Sequence, residues 1–217
     1  MRCFLALVFA LVTLAGLAAD PPAPDKDGKA PGKEDKAPGK GGKGPLAEGK
    51  NLPGPFHPFN VTGPRKGNFH CLVSEYDLEP VVMIVARDLE LSEPFKDLLK
   101  QLDNAIAKNP AVRLRSFVVF LSDALPDVVQ NDDKREELAG KLEDAAKGLG
   151  LKHVVLCLDS KSDLEKYALD ESKAVTVVLY HKLMVMAHEA LSREDLTAAK
   201  VQEIMTQVAD RLGAKRK

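Results

Sequence analysis

The 217-residue chain has no tryptophan, only three cysteines and almost no excess charge, with 31 basic side chains against 32 acidic ones. The charge balance removes the electrostatic case for nucleic acid, whose binders carry a basic excess or stripe. Three cysteines are too few for a disulfide-dense scaffold or a zinc-ribbon array. Long apolar runs are lacking too: the one at the N terminus offers about 15 residues where a membrane span needs about 20. No intact set of catalytic residues is present, and at roughly 150 residues per domain the length fits one domain with appendages.

What is there divides into unlike segments. Residues 1–19 hold 16 hydrophobic residues behind the single charge of Arg2. A charged start, an apolar run and small residues at its exit describe a secretory signal peptide, 1–18, with cleavage after Ala18 and Gly16 at the -3 position. Cys3 leaves with it, no stable membrane span remains after cleavage, and the mature protein is expected in the periplasm, the cell envelope or the extracellular space.

Residues 20–67 contain ten of the fourteen prolines, ten of the fifteen glycines and only nine hydrophobic residues. A segment so poor in apolar surface cannot offset its ordering entropy, so 19–67 is assigned as a Pro/Gly/Lys-rich disordered tether. Its last third adds Phe56, His57 and Phe59 to the prolines, which allows an ordered arm against the domain from about residue 51. Gly39-Lys40-Gly41-Gly42-Lys43-Gly44 spells a dinucleotide-loop pattern without the strand and helix that such a loop needs, and is set aside. Asn60-Val61-Thr62 is a glycosylation sequon.

Residues 68–213 form the domain, ahead of a basic tail at 214–217; from residue 68 on, 72 of 150 residues are hydrophobic. Short β-branched runs at 81–86, 117–121, 154–158 and 175–180 predict strands buried on both faces. Phe95, Leu98, Leu99, Leu102 and Ile106 predict a helix with Ser92 as N-cap and Pro94 in its first turn. Similar stripes run through Leu138, Leu142 and Ala146 and through Val201, Ile204 and Val208. The acidic run 132–137 fits the first turn of the former of these two helices. A short helix is predicted near 162–168. A second strand at 183–188, joined to the 175–180 strand through His181-Lys182, predicts a late β-hairpin. The fold class is α/β, a central mixed sheet with flanking helices.

This order resembles the thioredoxin-like fold, particularly its redoxin branch, over residues 69–212. Lys173-Ala174-Val175-Thr176-Val177-Val178-Leu179-Tyr180 looks like the family's Val-Pro-Thr strand, and the following hairpin fits as well. The resemblance places the family's attacking cysteine in the loop after residue 86, where this chain has Arg87-Asp88-Leu89-Glu90-Leu91-Ser92 and no sulfur. It places the cis-proline at Val175. On this reading the redox site is degenerate.

Two cysteines remain. Cys71-Leu72-Val73-Ser74 looks like a Cys-x-x-Cys with its second sulfur replaced, so Cys71 is a candidate monothiol with Ser74 donating a hydrogen bond and His70 or Arg65 stabilising thiolate. The alternatives are a buried structural cysteine or a Cys71–Cys157 disulfide. The histidines lack paired metal-ligand spacing, so neither a metal nor a cofactor is expected. The primary expectation is an exported thioredoxin-like binding or scaffolding module of the cell envelope, without thiol redox catalysis. Its binding loops would carry Asp88, Glu90, Leu125 and Val128, and its partner would be an unidentified protein. The alternative is a thiol-disulfide or peroxide redox protein using Cys71.

Overall fold

The four uninterrupted apolar runs become four adjacent strands. The computed structural model describes residues 44–213 apart from Asp88. Its strands are β1 (Phe59–Asn60), β2 (Pro80–Ala86), β3 (Arg115–Leu121), β4 (Val154–Asp159), β5 (Val175–His181) and β6 (Met184–Leu191). The helices are α1 (Leu72–Tyr76), α2 (Glu93–Lys108), α3 (Asp132–Leu149) and α4 (Ala198–Gly213), with a 3-10 helix at Ser162–Tyr167. One sheet runs in the order β1-β4-β3-β2-β5-β6. β2, β3 and β4 are parallel, whereas β1 pairs antiparallel with β4 and β5 antiparallel with both β2 and β6.

The steps from β2 to β3 and from β3 to β4 go the same way across the sheet. Two crossovers of one hand therefore deliver α2 and α3 to the same face. Their apolar stripes, together with that of α4, pack on Val82, Ile84, Val118, Phe120, Leu156, Val177 and Leu179. Ser92 caps α2 as expected, its hydroxyl accepting the Phe95 N–H at 3.4 Å.

The alternate side chains, among them Met83, Val85, Phe117, Val119, Cys157 and Tyr180, point to the other face. No long helix covers them among the described residues. The cover consists of α1, the 162–167 helix and chain assigned from sequence to the tether: Leu46, Leu52 and Phe56 are buried against this face. The domain edge expected at residue 68 thus lies inside packed chain. The arm pairs with the start of β6 through Gly49 N–H to Val185 O and Leu52 N–H to Leu183 O, both 2.8 Å. It then crosses the sheet, pinned midway by the Tyr167 hydroxyl donating to Gly54 O at 2.6 Å, and ends as β1 beside β4. Pro53, Pro55 and Pro58 favour an extended course along that crossing.

The far anchor is Asn60, fully buried, whose amide Nδ2 lies 3.0–3.1 Å from the carbonyls of Pro58, Asn68 and His70. Thr62 Oγ1 accepts the Leu156 N–H at 2.8 Å. The sequon is therefore a structural fastening whose asparagine is closed to modification in the folded domain. The β5–β6 turn is centred on Lys182 and Leu183, one residue later than expected, and both have positive φ (53° and 61°). That is the primed-turn backbone, formed here without the glycine or asparagine that favours it.

One buried carboxylate ties α2 to the sheet. Asp103 Oδ1 accepts the backbone N–H groups of Lys152, His153 and Val154 at 2.9, 2.6 and 2.9 Å. Asp103→Ala would leave those donors without their acceptor and is expected to cost about 3 kcal/mol of unfolding free energy in urea titrations. Asp103→Asn, which keeps one acceptor oxygen, is expected to lose clearly less.

Candidate functional site

The parallel strands end together, and the loops that follow define two depressions. The first holds about 220 Å³ between the turn into α2 and the start of β5, lined by Glu90, Leu91, Ser92, Val175, Arg193 and Leu196 among others. The second, about 450 Å³, is lined by Arg87, Leu121, Lys161, Ser162, Glu165 and Glu171 among others. Neither cysteine lines either one. The backbone between the two is closed: Ala174 O accepts the Arg87 N–H and Ala174 N–H donates to Leu191 O, both at 2.9 Å. Val175 pairs with Ala86 and is buried, so the residue at the expected cis-proline position is an ordinary ladder residue. Lys161 is held by Asp123 at 2.5 Å, and that ammonium pulls the Asp123 carboxyl below its usual range.

Cys71 is not in a strand. It is the N-cap residue of α1, 4% exposed, and its Sγ accepts the Ser74 backbone N–H at 3.4 Å and the Ser74 hydroxyl at 3.3 Å. The Cys71–Ser74 pair expected from sequence is therefore formed. The expected cationic helpers are turned elsewhere: His70 Nε2 lies 2.5 Å and Arg65 Nε 3.2 Å from Glu75 Oε2. Cys157 is completely buried in β4, 3.5 Å from Asn60 Oδ1, and burial pushes its thiol well above the ordinary range. Both thiols are free, so the Cys71–Cys157 disulfide is not formed.

Of the four residues proposed for binding loops, Glu90 lines the first depression, and Asp88 lies outside the described residues. Leu125 and Val128 do not belong to a surface, being 0% and 2% exposed in the helix-side core. The cause is local. Asp127 Oδ1 accepts the N–H groups of Val129 and Gln130 at 2.8 and 3.0 Å. Arg135 Nη1 donates to Val128 O at 2.7 Å. The loop curls under, leaving Val129, 61% exposed, outside. Arg135 itself, unremarked in the sequence, lies over the rings of Phe59 and Phe69 at 4.9 and 5.3 Å, and no sequence spacing announces that long-range contact. Among the described residues no three His, Cys, Asp or Glu side chains converge in a metal-binding arrangement. No described helix is long and apolar enough to cross a membrane.

A core role for the 124–129 loop gives a direct test by urea unfolding. Leu125→Ala is expected to destabilise by about 3 kcal/mol, within the range for buried leucines, whereas Val129→Ala is expected to stay within about 0.5 kcal/mol.

No protein-family model matches the chain, and no curated protein matches it. Solved structures do match. The reduced 2-Cys peroxiredoxin of Plasmodium vivax superposes with a TM-score of 0.52 at 19% identity, over 78% of this chain and 99% of that one. An uncharacterized conserved protein from Geobacillus kaustophilus gives 0.52 at 13% identity, over 77% and 82%. The thioredoxin domain of a thiol-disulfide oxidoreductase from Bacteroides vulgatus gives 0.47 at 16% identity, over 73% and 97%. At these identities the likeness concerns architecture: the chain has a thioredoxin-like α/β fold.

Proposed function

We propose that this chain is an exported, thioredoxin-like binding module that does no thiol redox chemistry and receives a protein partner at the depression beside Glu90, Ser92 and Val175. The observation carrying this reading is the placement of sulfur. The 87–92 loop contains none, and the cysteines at 71 and 157 lie in the core of the arm-covered face. A nucleophilic thiol must be accessible and largely ionised. Cys157 meets neither condition, since it is buried and its thiol is pushed up. The depression offers apolar walls with Glu90, Ser92 and Arg193 at hand, a combination that suits an extended peptide with mixed side chains. Its position outside the carboxyl end of β2 is where open α/β sheets take ligands. Export rests on the apolar run in 1–18, which lies outside the described residues; mass spectrometry of the exported form is expected to find Ala19 as the first residue.

A second reading, monothiol chemistry at Cys71, is favoured by one observation. Ser74 aims two donors at Sγ, an arrangement that stabilises thiolate. The peroxiredoxin of similar fold carries a name for chemistry of that kind. Against this reading stands burial of the sulfur beneath the arm.

The two readings separate in one set of assays. Peroxide consumption and insulin-disulfide reduction by the wild-type protein are expected to match those of Cys71→Ala at background. Extended peptides are expected to shift the amide resonances of residues 90–92, 174–175 and 193 saturably, with the response lost in Val175→Arg. Turnover that disappears in Cys71→Ala would establish the second reading and overturn the first.

A further inference from the structure

We propose that Asp159 and Asp163 share a proton and thereby form a latch that fixes the 162–167 helix, and with it the arm, to the carboxyl end of β4. Asp159 is the last residue of β4 and is fully buried. Strand alternation turns it to the same face as Val155 and Cys157, the face covered by the arm. Its Oδ1 accepts the Ser160 N–H at 2.9 Å, whereas its Oδ2 meets no donor. Ser160 brings a second carboxyl beside it, donating its N–H to Asp159 Oδ1 and its hydroxyl to Asp163 Oδ2. Two carboxylates are both acceptors, so they can join only when one of them carries a proton.

Among the described residues no hydrogen bond or ion pair brings a cation to replace that proton. Lys161 is paired with Asp123, and Arg87 donates to Leu169 O. From β3, the register partner of Asp159 is apolar Leu121. Along β4 itself, Cys157 presents a neutral thiol, and its only electrostatic influence would be to resist a second negative charge. On the helix side, Glu165 and Glu171 line the neighbouring depression and add further negative charge. Ser160 Oγ completes the cluster by bonding to Asp163 Oδ2, and it lies 3.0 Å from Ser162 Oγ on the wall of that depression. Burial, together with the bond to Asp163, accordingly pushes the Asp159 carboxyl up to about 8.

The sign follows from linkage. Between about pH 4, the ordinary aspartate value, and about pH 8, the folded chain holds a proton that the unfolded chain has released. Stability is therefore full below that window, falls as pH rises through it, and levels off above it. The structural consequence extends beyond the pair. The helix that Asp163 belongs to also carries Tyr167, whose hydroxyl pins the arm at Gly54. This inference stands whether or not the depressions take a peptide.

The test compares urea midpoints from pH 5 to pH 9 for the wild type and for Asp159→Asn, whose amide is neutral at every pH and can donate to Asp163. The wild-type midpoint is expected to fall relative to that of the variant as pH rises towards 8, because titrations common to both proteins cancel in the difference. Amide exchange at Leu164 and Ala168 is expected to quicken above pH 8 in the wild type beyond the base-catalysed rise seen in the variant. Equal pH slopes in the two proteins would overturn the proposal. Should Asp159→Asn fail to fold, carbon-13 carboxyl shifts of the wild type decide: one aspartate titrating near pH 8 supports the latch, and all of them titrating near pH 4 overturns it.

Discussion

The constraint on which the rest depends is that the sheet has two apolar faces and, among the described residues, long helices for only one of them. The β2-α2-β3-α3-β4 order moves in a single direction, and α4 joins α2 and α3 on the same side. Met83, Val85, Phe117, Val119 and Tyr180 would then face water, a cost of about 1.5–3 kcal/mol per large apolar side chain. The chain closes that face with a five-residue helix, a 3-10 turn and an extended proline-stiffened arm. The arm is held at its two ends by backbone ladders, at β6 and at β4, and in the middle by Tyr167. Buried Asn60 is the fastening at the β4 end, replacing the ladder partners that a longer edge strand would have supplied.

Function follows from that closure. The arm lies over the face that holds both thiols, so the same packing that completes the fold removes sulfur from solvent. The end of the sheet stays open, with depressions around Glu90 and Val175 and around Arg87 and Lys161. The two thiols and the open depressions thus lie in different parts of the molecule. The Asp159–Asp163 pair sits where those parts meet, at the end of β4 beside the second depression.

Much of the fold was legible because the signals were periodic. Four β-branched runs specified β2 to β5, three stripes specified α2 to α4, and Ser92 with Pro94 marked the start of a helix. What escaped was aperiodic or compositional. Averaging over residues 20–67 concealed that Leu46, Leu52 and Phe56, though few, sit on a proline-stiffened segment that packs on the sheet. Leu125 and Val128 looked like an apolar loop, since nothing local reveals that Asp127 and Arg135 curl it inward. His70 adjoins Cys71 in sequence and Arg65 lies six residues before it, yet Glu75, one helical turn further on, takes both. Asp159 carries no sequence signal either; that no cation among the described residues bonds to it is a tertiary fact.

The central claim, that the arm keeps both thiols out of reach, is tested most directly by the urea dependence of thiol labelling in the native protein. If the claim is right, Cys71 and Cys157 label only through cooperative unfolding, with rates that rise with urea at the global slope and coincide for the two sites. Labelling of Cys71 without urea, at the rate of an unprotected thiol and independent of the stability of the domain, would contradict it.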